Sequence, residues 1–279
     1  MAITTRDQLI DAMGNNSSRI VIDKASISNA AAGQFHSLWR ATGQPGQAAI
    51  PGAAARCTNA LTGALNFTQQ TLPATSYLAI LEGLCSNNAT TLEIHDRLMY
   101  MGGLNGTLAT GQTVDLDVHA NIASDNIAAR IGDANYSDVT WWLEWYSDTG
   151  GTAVTATVNV TYNDGTSGNL TGVALAATRR ASQMIPLNGS IPAADSGKFI
   201  RDVNTVTLSA TTGTAGSFGV TATRYRAAMY KPIANARFTA DWAGLGLPSI
   251  QNSACLMLVQ LAGTTSTGAV RATGKIIHG

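Results

Sequence analysis

Two aspartates and a histidine alternate along one short segment and form the sharpest cluster of chemically active side chains in the sequence. They are Asp115, Asp117 and His119, within TVDLDVHA. Alternation along a strand puts all three on one face, with successive side chains about 7 Å apart. Two carboxylates and an imidazole can bind a divalent cation, and a close carboxylate pair such as Asp115 and Asp117 is what a glycoside hydrolase requires. Ligands along one strand cannot surround a metal unaided, so the pattern favours a solvated polar face or a strip of interface salt bridges.

The remaining polar motifs are explained more simply by structure than by chemistry. Glu93 and His95 share one face of a predicted strand, which indicates a surface ion pair or a hydrogen-bonded edge. The Asn-Asp-Gly segment at 163–165 could suggest calcium binding, but Asp-Gly between two strand patterns is typical of a hairpin turn. Four arginines are expected to block strand addition at sheet edges or to pair with acidic groups of another subunit. They are Arg179, Arg180, Arg224 and Arg226.

No established motif for catalysis or nucleotide binding occurs in the sequence. It lacks the Gly-x-Ser-x-Gly nucleophile elbow, the P-loop, the dinucleotide fingerprint and the His-Glu-x-x-His zinc motif. The cysteines Cys57, Cys85 and Cys255 are far apart and form no disulfide or zinc pattern, so we expect buried, reduced thiols. We therefore expect a protein that is not an enzyme, with no catalytic, cofactor-binding or metal-binding residues.

The segment VTWWLEWYS, 139–147, alternates large side chains between the two faces of a predicted strand. Trp141 and Trp145 share one face, which predicts that they lie in the core. Trp142 and Tyr146 share the opposite face. Large aromatic side chains there indicate packing against a second sheet, a contact with another subunit, or a sugar-binding platform.

Strand patterns become regular from about residue 113. The segment 152–162, TAVTATVNVTY, alternates apolar and polar residues, which a helix with one buried face cannot satisfy. The segment 206–223, VTLSATTGTAGSFGVTAT, is interpreted as a hairpin with a glycine-rich turn. The C-terminal segment repeats that plan, with predicted strands at 254–261 and 269–277.

The N-terminal segment 4–13, TTRDQLIDAM, is the best helix candidate. Thr5 and Gln8 have the spacing of a capping box. The helix has an apolar stripe that is expected to dock on its own domain or on a neighbouring subunit. The stripe consists of Leu9, Ile10 and Met13.

These patterns predict a mainly β protein, an antiparallel β-sandwich or jelly-roll-like fold with a short N-terminal helix. The composition changes near residue 111 from alanine-rich and irregular to strictly alternating, which predicts two β units. We expect an N-terminal helix or arm at 1–24, a first β-rich unit at 25–110, and a second β-sandwich unit with the C-terminal hairpin at 111–279.

The composition favours self-association over nucleic-acid binding. Charged residues make up 12% of the 279 residues, and the formal net charge is +0 at pH 7. A neutral chain gains little from counterion release on nucleic acid and is poorly protected against association with itself. We see no signal peptide and no apolar run long enough for a membrane helix, so no membrane partner is expected. The alternative to a surface covered by partners is a monomer rich in surface Thr, Ser, Asn and Gly.

Several stretches of the sequence resemble a family of tailed-bacteriophage virion structural proteins, often described only as hypothetical or structural. The similar stretches are SLWRATGQPGQAAIPGAAA, HDRLMYMGGLNGTL, WWLEWYSDTGG, TLSATTGTAGSFGVTATR and GLPSIQNSACLMLV. The resemblance extends over most of the chain and rests on no catalytic motif. It implies a component of the virion that is made in the host cytoplasm and incorporated without export. It also implies a β-sandwich oligomer, frequently a trimer, if the protein decorates the capsid.

We therefore predict a non-enzymatic phage virion protein that binds and stabilises the capsid as a decoration or cement component. The expected partners are other copies of the chain, with a trimer favoured, and the major capsid protein or other virion proteins. The alternatives are a tail or head–tail junction component and a carbohydrate-binding module for host attachment. The predicted interface residues are Trp142, Tyr146, Leu9, Ile10 and Met13.

Overall fold

A computed structural model of the chain describes residues 2–71, 73–88, 90–122, 127–213 and 216–279. The fold is mainly β, with antiparallel sheets, as predicted. The helices are α1 (Arg6–Asn15), α2 (Val118–Ile122), α3 (Ile127–Ile131) and α4 (Trp242–Leu245). None of the helices in the described part of the chain combines the length and the apolar character needed to cross a membrane.

Seventeen strands are found in the described part of the chain. The first nine are β1 (Ser17–Lys24), β2 (Phe35–Ser37), β3 (Gly43–Gln44), β4 (Ala55–Arg56), β5 (Ser76–Cys85), β6 (Thr90–Asn105), β7 (Gln112–Asp117), β8 (Val139–Trp145) and β9 (Val154–Tyr162). The others are β10 (Ser167–Leu175), β11 (Gln183–Pro186), β12 (Ile200–Leu208), β13 (Ser217–Lys231), β14 (Phe238–Ala240), β15 (Ser249–Ile250), β16 (Leu256–Leu261) and β17 (Val270–His278).

Within the described residues these strands form three sheets. The terminal sheet has the order β14-β5-β17-β1-β3, with β15 also paired to β5. The four-stranded sheet has the order β10-β9-β12-β7. The third sheet runs β13-β8-β11-β2-β16-β6-β4, and β13 also pairs with β6. That last pairing closes six antiparallel strands into a ring, β13-β8-β11-β2-β16-β6, which we call the closed sheet.

Alternation along the strands gives the closed sheet two apolar patches on its outer side. Trp141, Trp145 and Phe218 pack against the four-stranded sheet, and the Trp145 and Phe218 rings lie 4.4 Å apart between centroids. Ile94 and Leu258 lie in a second cluster, packed against the terminal sheet. The closed sheet therefore provides a shared central layer, with one of the other sheets on each of two patches of its outer side.

The interior of the closed sheet is polar at its centre. Arg97 of β6, Glu144 of β8 and Thr221 of β13 contact one another there. Met257 of β16 also contacts Arg97, and Ser37 of β2 is hydrogen-bonded to Glu144. Because residues from five of the six strands meet at one point, the ring has no room for a channel at this level.

Two predicted hairpins are wrong. The strands of the 206–223 segment are β12 and β13, and they lie in different sheets: β12 pairs with β7 and β9, whereas β13 pairs with β6 and β8. The turn predicted between them includes residues 214–215, which lie outside the described residues. The C-terminal strands β16 and β17 also separate, into the closed sheet and the terminal sheet.

The expected division at residues 110 and 111 does not follow the sheets. β1 pairs with β17 in the terminal sheet, so the two ends of the described chain share one layer. β6 pairs with β13 and β16 in the closed sheet. Strands from both expected units occur in both sheets. The change in composition near residue 111 therefore marks the start of more regular strands and does not divide the chain into two units.

Candidate functional site

The tryptophan and tyrosine predicted for an interface lie inside the fold. Trp142 and Tyr146 are each 3% exposed. The Trp142 Nε1–H donates to Thr223 Oγ1 at 2.8 Å. Its ring packs edge-on against the ring of Phe35, with 5.3 Å between the two centroids. The prediction that Trp142 and Tyr146 contact another subunit is therefore wrong. The alternative of a sugar-binding platform is wrong for the same reason, because both side chains are buried. The physical reason is closure: the face opposite Trp141 is the inside of a ring, not an outer surface.

An ion pair occupies the interior of the closed sheet beside these aromatics. Arg97 Nη2 and Glu144 Oε2 are 2.6 Å apart, and the two side chains are 0% and 1% exposed. Burial alone would raise the pKa of Glu144, but attraction to Arg97 and hydrogen bonds from Arg97 and Thr221 lower it below its usual value. Trp39 stacks against the Arg97 guanidinium, with 4.8 Å from its carbon to the ring centroid. With both charges neutralised and enclosed, this site can hold the strands together but offers no free base or acid.

The three side chains predicted to share one strand face at residues 115–119 do not do so. β7 ends at Asp117, so His119 lies on α2 and not on the strand face expected for it. Asp115 is exposed, while Asp117 lies directly opposite Asp202 on β12. His119 Nδ1 is hydrogen-bonded to the Tyr136 hydroxyl at 2.8 Å. Among the described residues, no group of three or more His, Cys, Asp or Glu side chains is placed to bind a metal.

Asp117 and Asp202 form the carboxyl pair that the sequence pattern missed. Asp202 is 5% exposed and accepts a hydrogen bond from Arg201 Nε at 2.8 Å. Burial raises the pKa of Asp202 to about 6, the hydrogen bond from Arg201 opposes that shift, and the negative charge of Asp117 adds to it. Asp202 therefore keeps its proton at mildly acidic pH.

The other predicted polar motifs are structural. His95 Nε2 and Glu93 Oε2 are 2.7 Å apart on β6, as predicted, although the histidine is buried rather than at the surface. Residues 163–165 form the turn between β9 and β10. The four arginines do not form one patch. Arg224 lies opposite Val139 at the start of β8, whereas Arg180 binds Asp148, which follows the end of β8. All four arginines have partners in the chain itself: Arg179 with the Ala174 carbonyl, Arg180 with Asp148, Arg224 with Asp138, and Arg226 with the Ser249 carbonyl.

The N-terminal helix forms as predicted, with the Thr5–Gln8 capping box. Leu9 is buried against Ala79 and Ile277 of the terminal sheet, so it serves the chain's own core. Met13 is partly buried against the same cluster. Ile10 is 62% exposed, and it keeps its place as a predicted contact residue.

The part of the terminal sheet beside this helix has an open outer face. Ile20 and Ile22 of β1 are buried in the core, whereas Val21 between them is 45% exposed. Val21 lines an open groove of about 510 Å³, together with residues of β5, β17 and Arg237 just before β14. Two ion pairs flank the groove: Arg271–Asp23 across β17 and β1, and Arg237–Glu82.

Further large apolar side chains are exposed near the same sheet. Trp242 begins α4, directly after the edge strand β14, and is 44% exposed. Tyr230 at the end of β13 and Ile233 beyond it are each 64% exposed. We call the groove and its two flanking ion pairs the candidate assembly surface. The alternation of β1 could have located Val21, but no pattern in the sequence indicates which face of the sheet remains uncovered.

Comparison with known proteins yields weak structural similarities only. No protein-family model matches the chain, and no curated protein matches it. The VP2 subviral particle of infectious bursal disease virus is similar at 12% identity, covering 94% of this chain and 79% of that chain, with a TM-score of 0.21. The T13 viral particle of the same virus is similar at 10% identity, covering 94% and 76%, with a TM-score of 0.20. TM-scores this low do not establish a shared fold.

Proposed function

We propose that the protein is a non-enzymatic structural component of a bacteriophage particle. In this proposal it is a decoration or cement protein that binds the capsid surface and stabilises it. It acts as an oligomer, with a trimer favoured, and is made in the host cytoplasm. The observation that carries the proposal is the open outer face of the terminal sheet, where apolar side chains and paired charges lie on a rigid β scaffold.

The interior of the protein supports a structural role. Both histidines that the sequence pattern singled out are engaged in internal contacts: His95 with Glu93 and Thr223, and His119 with Tyr136. The buried Glu144 is bound to Arg97. A catalytic site needs a nucleophile, acid or base that faces a substrate. In the described part of the chain, these groups instead join strands and helices to one another.

The candidate assembly surface suits contact with another copy of the chain. An apolar patch rimmed by polar groups is typical of an interface. The groove carries two acids and two arginines, Asp23, Glu82, Arg237 and Arg271, so a second copy can place opposite charges against it. Contacts of modest strength become strong when symmetry repeats them around an assembly and several neighbours bind at once.

The proposal is tested with a charge placed in the groove. We expect Val21→Asp to fold normally and to lose oligomer formation, measured by analytical ultracentrifugation, and binding to virus particles that lack the protein, measured by co-sedimentation. The matched control is Leu108→Asp, because Leu108 is 46% exposed but follows β6, away from the groove. The control should assemble and bind like the unchanged protein.

Two outcomes contradict the proposal. If the unchanged protein stays monomeric and binds no particle, it is not a virion structural component. If Val21→Asp assembles and binds normally, the groove is not the contact. Electron cryomicroscopy of the particle then locates the chain: density on the outer capsid lattice supports decoration, and density in the tail or the head–tail junction overturns that assignment.

A further inference from the structure

Two of the three cysteines are brought together at one edge of β6. β13 pairs with β6 along its whole length, from residue 90 to 105, and so occupies one edge. β16 pairs with residues 91–96 and β4 with residues 99–100, so both lie along the other edge. Cys255 immediately precedes β16 and Cys57 immediately follows β4. The two cysteines therefore meet where one strand ends and the next begins.

Backbone hydrogen bonds fix this meeting point. The Cys57 N–H donates to the Leu98 carbonyl at 2.9 Å, and the Arg97 N–H donates to the Cys255 carbonyl at 2.8 Å. The two cysteines thus stand opposite neighbouring residues of one strand, and neighbouring residues are about 3.3 Å apart along it. A disulfide requires Cα atoms no more than roughly 6.8 Å apart, so it is possible only between residues that lie side by side, as these two do along one edge of β6.

A buried ion pair, Asp96–Arg130, is hydrogen-bonded to the backbones of both cysteines. Arg130 Nη2 and Asp96 Oδ1 are 3.0 Å apart. The same Arg130 nitrogen donates to the Cys57 carbonyl at 2.6 Å, and the same Asp96 oxygen accepts from the Cys255 N–H at 2.8 Å. Asp96–Arg130 is therefore a clamp that holds the two cysteines at a fixed distance.

The two thiols also contact each other. Both cysteines are 0% exposed and lie in one apolar cluster with Trp39 and Met257, and their side chains are hydrogen-bonded. The third cysteine, Cys85, is packed in a different cluster, under the terminal sheet. Its thiol donates to the Thr267 carbonyl at 3.4 Å.

We infer that Cys57 and Cys255 are a dithiol site that a small two-electron oxidant, such as a peroxide, converts to a disulfide. Peroxide oxidises one thiolate to a sulfenic acid as its O–O bond breaks and hydroxide leaves. The second thiol attacks that sulfur, the S–S bond forms, and water leaves. Overall, the two thiols lose two electrons and two protons, and one hydrogen peroxide becomes two waters. The bond joins the residue that follows β4 to the residue that precedes β16.

Access to the site depends on local opening. Burial raises the pKa of Cys255, so little of its thiolate is present in the native protein before local opening. We therefore expect slow oxidation in native buffer and faster oxidation in mild urea, where segments open without global unfolding. The oxidised protein should unfold at a higher temperature than the reduced protein, because the cross-link restricts the unfolded chain.

The test is peptide mapping by mass spectrometry after treatment with hydrogen peroxide. We expect a Cys57–Cys255 linked peptide and a fall from three free thiols to one, reversed by dithiothreitol. Cys85→Ser is the matched control and should form the same link at the same rate. Cys57→Ser should form no internal disulfide.

Other results overturn the inference. A disulfide that includes Cys85 would show that the clamp does not select the pair. Three free thiols after oxidation in both native buffer and mild urea, or sulfinic and sulfonic acids at Cys57 or Cys255 without a link, would show that the two sulfurs do not reach each other. The peptide mapping is done first on the unchanged protein, so its result tests the inference even if a cysteine variant fails to fold.

Discussion

Two arginine–carboxylate pairs occupy opposite environments in this molecule. Arg97 and Glu144 lie inside the closed sheet, 2.6 Å apart and at most 1% exposed. Arg271 and Asp23 lie on the outer face of the terminal sheet, 3.5 Å apart and 69% and 64% exposed. The residue types are similar, yet burial gives the first pair a role in folding and leaves the second available for contacts with other molecules.

The difference follows from the cost of removing a charge from water. An enclosed ion is tolerated only when its partner and further hydrogen bonds replace the lost water. Glu144 has such replacements in Arg97 and in the Thr221 hydroxyl, which donates to it at 2.7 Å. Asp23 keeps much of its water, so its arginine contributes little to folding.

The largest expected effect is on the interior pair. We expect Arg97→Met to lower the free energy of unfolding by about 3–5 kcal/mol, because Glu144 would remain buried without its partner. The measurement is urea unfolding followed by tryptophan fluorescence. Arg271→Met is the matched control, with the same substitution at an exposed pair.

A double variant separates the loss of the pair from the loss of packing. Arg97→Met combined with Glu144→Leu removes both charges and should recover part of the stability that Arg97→Met loses. If the single variant is as stable as the unchanged protein, the Arg97–Glu144 pair does not hold the closed sheet together. If the double variant is no better than the single one, packing and not charge explains the loss.

A third, intermediate environment is the carboxyl pair of the four-stranded sheet. Asp202 is almost fully buried opposite Asp117, and its pKa is raised from 3.8 to about 6 by burial, against the opposing hydrogen bond from Arg201. The folded protein therefore binds this proton more tightly than the unfolded chain does. Its stabilising contribution is complete below pH 3.8 and is lost as the pH rises through about 6.

We expect Asp202→Asn to remove that pH dependence. Between about pH 4 and 7 the unchanged protein should lose about 1–3 kcal/mol relative to the variant. The measurement compares the urea midpoints of both proteins across this range, so that titration of other groups cancels. The interpretation is wrong if the two proteins show parallel pH profiles, or if the variant loses more stability than the unchanged protein as the pH rises.

The elements that local pattern specifies were predictable from the sequence. The Thr5–Gln8 spacing predicted the capping box, and the alternation at 152–162 predicted β9 with its buried valines. The placement of Trp141 and Trp145 in the core was also correct. Each of these depends on residues only a few positions apart, which a single sequence displays directly.

The pairing of distant strands was not predictable from the sequence. Trp142 lies inside the ring because β13 pairs with β6 and closes it. Alternation along β8 shows that the strand has two faces, but it does not show which of them lies inside. The partner of Asp117 is Asp202, far along the chain. A charged residue among apolar neighbours, such as Glu144 in WWLEW, is the one local signal that could have indicated an enclosed site.

The smallest expected effect on stability is at the outer pair. Arg271→Met should change the free energy of unfolding by less than about 1 kcal/mol, since an exposed pair gains little over its contacts with water. The same change removes one of the two arginines at the groove, so oligomer formation should weaken, measured by sedimentation at several salt concentrations. Because surface charges are screened by salt, raising the salt should reduce the difference between the variant and the unchanged protein. A stability loss as large as that of Arg97→Met, with normal assembly, would instead place Arg271 among the residues that fold the chain, and the contrast between the two pairs would fail.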